Sequence, residues 1–312
     1  MRRRSLPPTA LGVLLAAAAC ATSPDDGPTP RQRIEAAEQL LQAGDWNTAL
    51  DALDPLADEQ CPPRLRDRRD LAVARAEVGL GELWDAFRTL ERFSDDYPHS
   101  ELRGEAVDLL WQIGKTLSDS DGGFLFFWSD ERAGRAVLEH LVTRHPDTRR
   151  FADAMRILGD MAFADGNYEL AQDRYGDILF YRPESDWRFY AQFRFAMSIV
   201  ASLQGPDYDL ARMELATREL RTFLRNQPED PRMVEETQGA LTLLLEWQCA
   251  RHVQIADYYR TVGSLDGERY HLGLAADEQF AGTGAFEDAV RRRDELAAAA
   301  ANGAAAANGG AP

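Results

Sequence analysis

Three cysteines and five histidines have the widest chemical reach in this chain: Cys20, Cys61, Cys249, His99, His140, His145, His252 and His271. A zinc site needs Cys or His at spacings that let them converge on one ion, and a catalytic thiol needs a histidine partner in a recognisable frame. Neither pattern occurs. HExxH is absent, as are a phosphate-cradling glycine loop and GxSxG. Cys61 and Cys249 lie far apart without CxxC spacing. Two buried free thiols is the simpler reading, and a disulfide stays open in an oxidising compartment. His140 and His145 flank the end of an expected helix, where the dipole favours a cation. Carboxylates abound, but no acid/base pair stands out. The inventory points away from an enzyme: no catalytic residue, metal ligand or cofactor is expected.

Cys20 differs in its setting. Arg2, Arg3 and Arg4 precede a nine-residue apolar stretch, Leu11 to Ala19. That is too short for a bilayer span, which takes about 20 residues. The stretch ends in Ala17-Ala18-Ala19 directly before Cys20. This resembles a lipobox, the bacterial lipoprotein signal, in which a diacylglycerol is placed on the cysteine and the chain is cut before it. Ala17 departs from the pattern, which usually has Leu there; Leu15 is displaced by two. Residues 1–19 are therefore expected to be a lipoprotein signal peptide, with Cys20 as the lipidated residue. Residues 20–30, rich in Pro, Asp and small side chains, read as a flexible tether. Ala21 follows the cysteine where Asp would favour inner-membrane retention, so the expected site is the periplasmic face of the outer membrane.

Charge supports this expectation. With 35 basic and 52 acidic residues the chain carries −17, the wrong balance for phosphate backbones, so no nucleic-acid partner is expected. An acidic surface would not adhere unaided to an anionic bilayer, whereas several acyl chains hold it stably. Lys115 is the only lysine, a bias best explained by a GC-rich genome.

The elements that would carry any surface are helical. Gly44-Asp45-Trp46 is followed by Ala49, Gly166-Asn167-Tyr168 by Ala171, and Gly81 by Ala86, the alanine always five residues after the glycine. Pro98 and Pro183 lie twelve residues past Ala86 and Ala171; Pro146 and Pro228 lie the same distance past Gly134 and Ala216. The glycine ends a first helix where φ > 0 is needed, the small residue lets a second helix approach, and the proline stops it. Ser100, Thr148 and Ser185 are expected to cap the helices that follow. Phe151, Met155, Leu158 and Ala162 line one face of a first helix; Tyr168, Ala171, Tyr175, Ile178 and Leu179 line one of a second. Six units follow, about Pro30–Cys61, Asp67–Pro98, Ser100–Pro146, Arg150–Pro183, Asp186–Pro228 and Pro231–Phe280. A long helix is expected over about Met233 to Val262, and a capping helix over Phe286 to Ala297. The repeat domain would cover 31–297, with 298–312 a disordered Ala/Gly tail.

These units resemble the tetratricopeptide repeat, a helix pair of about 34 residues. The resemblance implies an all-α, right-handed superhelical array of about six pairs. Three segments are similar to the BamD-type outer-membrane lipoprotein family, the tetratricopeptide subunit of the β-barrel assembly machinery: AEQLLQAGDWNTALDALDPL, YDLARMELATRELRTFLRNQP and HVQIADYYRTVG. Six units stand where that family has five, and Phe280 stands where its last unit has proline. The family implies a protein-binding scaffold whose partners are envelope proteins, including the barrel-insertase and unfolded outer-membrane proteins. A repeat lipoprotein of peptidoglycan synthesis or cell division would carry much the same pattern. The insert in the third unit holds Phe124, Leu125, Phe126, Phe127 and Trp128. Such a run either fills a repeat junction or docks a partner, which makes Phe124, Phe126, Phe127 and Trp128 candidate partner-binding residues.

Overall fold

The computed structural model describes residues 27–57, 59–119, 130–207 and 209–308. Every regular element among them is a helix. The helices are α1 (Pro30–Ala43), α2 (Trp46–Leu53), α3 (Pro63–Leu80), α4 (Leu83–Leu90), α5 (Phe93–Asp96), α6 (Arg103–Asp119), α7 (Asp130–Arg144), α8 (Phe151–Ala164), α9 (Tyr168–Tyr181), α10 (Arg188–Ser202), α11 (Leu210–Arg225), α12 (Pro231–Thr261), α13 (Leu265–Ala275) and α14 (Phe286–Asn308), with a 3₁₀ turn at Glu278–Phe280. The expected tetratricopeptide-like helix pairs are present.

The chain forms two compact units divided between Gly81 and Glu82. The division falls inside the second expected pair, so α3 belongs to the first unit and α4 to the second. In the first unit α1, α2 and α3 pack on one another around Ile34, Ala37, Leu41, Ala49, Leu53 and Leu56. Gly44 ends α1 at φ 77° and Gly81 ends α3 at φ 82°, the left-handed geometry that a Cβ disfavours. Trp46 then lies on Gly79, where an added Cβ would stand 2.3 Å from the indole. Cys61 is a buried thiol that donates to the Pro62 carbonyl at 3.8 Å.

In the second unit the helices pack in chain order: α6 on α7, α8 on α9, and so on to α14. The small residues do what their spacing implies. Ala86, Ala171 and Ala216 are fully buried. A Cβ on Gly134 would stand 3.0 Å from the α6 backbone at Leu117. Phe151, Met155, Leu158 and Ala162 are buried on α8, and Ala171, Tyr175 and Ile178 on α9. The prolines stop α7, α9 and α11 as expected, α11 through Gln227 at φ 54°.

Two expectations need correction. Ser100, Thr148 and Ser185 do not cap the next helices. Each accepts from the backbone N–H two residues on, at 3.1–3.3 Å, and its carbonyl accepts from the third. They close a turn one step ahead of the helix, since the proline two residues earlier needs a turn to redirect the chain. The α8 and α10 termini carry no side-chain cap. Next, α14 runs past Ala297 to Asn308, through residues expected to lack structure; alanine has the highest helix propensity, which continues a helix already nucleated. Arg292 holds α14 in place, 2.9 Å from Asp257 of α12 and 3.2 Å from buried Glu268 of α13.

Candidate functional site

Asp160 of α8 gathers side chains from three helices. Its Oδ1 accepts from the Tyr175 hydroxyl at 2.7 Å and the Tyr190 hydroxyl at 2.6 Å. Its Oδ2 accepts from Arg156 at 2.6 Å. Arg194 donates to the Tyr175 oxygen at 3.3 Å, and its guanidinium lies 3.8 Å over the Phe163 ring. Beside it, the Trp187 indole N–H donates to Asp153 at 2.8 Å while its ring carries the Arg156 guanidinium at 4.5 Å. Burial first, then the bond to Asp160, pushes the Tyr190 hydroxyl up to about 12 and the Tyr175 hydroxyl further still. Neither phenol can serve as a base at neutral pH. Each charge has an opposite partner and the Arg156 Nε is left as a buried donor without an acceptor, so this face joins α8, α9 and α10 and leaves little to offer a ligand.

A second cluster, on α11 to α13, is less complete. A groove of about 520 Å³ opens there. Arg218, Arg221 and Arg225 form one side, three and four residues apart on α11, hence on one face of the helix. Gln248 of α12 is 4% exposed and closes the floor, donating to Thr217 at 2.6 Å and to the Met213 carbonyl at 3.3 Å. Phe280, 2% exposed, takes a core position where a proline would have projected none of this surface. Tyr270 stands on the rim, 64% exposed. Arg218 pairs with its neighbour Glu219 at 3.3 Å. Arg221 reaches only the Gln279 amide oxygen, at 3.4 Å, and Arg225 only the Thr222 hydroxyl, at 2.9 Å. Among the described residues no carboxylate lies within 4 Å of either.

His252, also lining the groove, brings its Nδ1 to 3.3 Å from Nδ1 of His271. His271 stacks on Tyr259 with rings 16° apart. Burial lowers both imidazoles, and for His252 the neighbouring His271 adds to it. The pair is therefore neutral at pH 7, one ring donating and the other accepting.

No family model and no curated protein matches the chain. Solved structures similar to it include a tetratricopeptide repeat protein from Parabacteroides merdae, at 13% identity, 86% of this chain, 99% of that one and a TM-score of 0.37. Another is the TPR2AB domain of yeast Sti1 in complex with pHSP90, at 13% identity, 86% of this chain, 96% of that one and a TM-score of 0.26. The overlaps are too small to transfer a site or a partner.

Of the residues singled out in the sequence, Cys20, Phe124, Phe126, Phe127 and Trp128 lie outside the described residues. His140 and His145 flank the end of α7 as expected, but their surroundings disfavour the cation. His145 is 3% exposed, and burial, then Arg103, pushes it down to about 4. Burial lowers His140 too. A neutral imidazole gains nothing from the helix dipole, so desolvation outweighs it here. Cys249 is a buried thiol that donates to the Ala275 carbonyl at 3.5 Å. Among the described residues no three His, Cys, Asp or Glu side chains are placed to hold a metal, and no helix is long and apolar enough to cross a membrane.

Proposed function

We propose that this protein is a non-enzymatic, lipid-anchored scaffold, held through Cys20 on the periplasmic face of the outer membrane, that binds other envelope proteins during β-barrel assembly. The observation that carries this reading is the open groove on α11–α13. Stacked helix pairs place side chains from successive elements on one surface, and here that surface has a polar floor and two arginines without carboxylate partners. The signal pattern before Cys20 supports the anchor. The three family-like segments support the assembly role, two of them covering α11 and the end of α12.

The test is affinity purification of the tagged, full-length protein from detergent-solubilised envelopes, together with fractionation of Cys20→Ala. Recovery of the barrel-insertase with the wild type, and release of the variant from salt-washed membranes, is the expected result. Recovery of peptidoglycan-synthesis or division proteins in place of the insertase would move the scaffold to that process. A variant that stays with membranes would remove the anchor.

A further inference from the structure

The groove on α11–α13 has the charge and the dimensions of a peptide site. In a chain of net charge −17, many arginines elsewhere in the second unit sit on carboxylates: Arg135 on Asp165, Arg156 on Asp160, Arg174 on Glu139, Arg292 on Asp257. Arg221 and Arg225 do not, facing an amide and a hydroxyl; unlike Arg182, whose guanidinium meets two backbone carbonyls, they stand together in one groove. We propose that this groove binds an extended acidic segment of a partner protein, with Arg221 and Arg225 taking its carboxylates.

Spacing gives the proposal a register. Arg221 and Arg225 are four residues apart on one helix face, a rise of about 6 Å. In an extended chain side chains two positions apart share a face about 6.6 Å from each other, so carboxylates at alternate positions reach both arginines. The remaining lining suits a peptide better than a compact anion. Glu214 and Asp277 also line the groove and would repel a phosphate dianion placed centrally. Leu274 and the exposed Tyr270 ring offer apolar area between the charges, and an aromatic at such a rim is a common anchor. Guanidinium groups take carboxylates in bidentate fashion, which fixes orientation as well as charge.

The inference deepens the scaffold reading and rests on it for the class of partner. Its test uses the purified full chain in detergent and a fluorescent ten-residue Gly/Ser peptide carrying two glutamates two positions apart. Saturable binding is expected, falling about tenfold when both glutamates are replaced by glutamine. Arg221→Gln and Arg225→Gln are each expected to weaken binding about tenfold at unchanged Tm, and the lysine variants less. Equal affinity for the glutamine peptide overturns the proposal, and that comparison needs no variant. So does preferential binding of inorganic phosphate or of vesicles containing anionic lipid. A self-association that Arg221→Gln abolishes would give the groove to a second copy and overturn it as well. Envelope capture by a wild type that ignores the peptide would sink the groove alone. Peptide binding without envelope capture would keep the groove and remove the scaffold.

Discussion

Between α8 and α10, one carboxylate takes two phenol protons and a guanidinium, and a second takes an indole N–H. Between α11 and α13, three arginines, two glutamines and one histidine are among the residues lining a cavity in which two of the arginines meet no carboxylate. The residue types overlap, but the stoichiometry differs. Where acids and donors match, a polar cluster acts as a joint, since each member removed strands another in a poorly solvated place. Where cations exceed acids, the surplus is kept in water at little cost and remains free for a partner.

The contrast can be broken most sharply at Asp160. Asp160→Ala leaves the buried Tyr175 and half-buried Tyr190 phenols and Arg156 without their acceptor, and the expected loss is about 3 kcal/mol. Urea unfolding measures it, and an unchanged midpoint would mean the cluster joins nothing. Arg225→Ala in the groove is expected to change stability by less than about 0.5 kcal/mol.

Glycine substitutions sharpen the comparison at the next level. A Cβ on Gly159 would lie 2.7 Å from the ring of Tyr175, which is fully buried and tied to Asp160, so it cannot yield. Gly159→Ala should cost about 2 kcal/mol. A Cβ on Gly267 meets the Tyr259 ring at 2.4 Å, but Tyr259 is only half-buried and can swing outward. Gly267→Ala should cost less than half as much in the same thermal melt. Equal costs would show that α12 and α13 are as rigidly packed as α8 and α9.

Much of this was readable from spacing. The Gly–Ala–Pro phase placed the helix pairs because each residue meets a local backbone demand that few others meet. The polar joints were not, because Asp160, Tyr175 and Tyr190 have their meaning only after three helices are folded together. A signal did exist. His252 and His271 lie eleven and eight residues either side of the turn at Gly263, and Tyr259 and Gly267 four either side. Residues nearly equidistant from a turn glycine face each other across an antiparallel pair. Reading Ser100, Thr148 and Ser185 as caps failed because the proline two residues before each leaves a turn to be closed first.

The smallest expected difference concerns acid. Burial holds His252 and His271 below their ordinary value, so the unfolded chain takes up protons first as pH falls. Stability from these groups is intact above the unfolded value of 6.5 and declines below it. The protection factors of α12 and α13 amides, taken relative to the intrinsic exchange rate at each pH, should therefore fall between pH 7 and 5, and His252→Gln should flatten that dependence. The amides of α8 and α9 should change less over the same range. A uniform fall would show that the whole unit titrates as one.

Helix α12 has a consequence of its own. Its 31 residues extend about 46 Å, and α10, α11 and α13 all pack on it. In an array of short pairs, each repeat can fray while its neighbour holds, and melting runs inward from an end. A rod that serves two pairs forbids that at this end of the chain. Losing α12 removes the partner of both α11 and α13 together, so the last two pairs must come apart as one cooperative block.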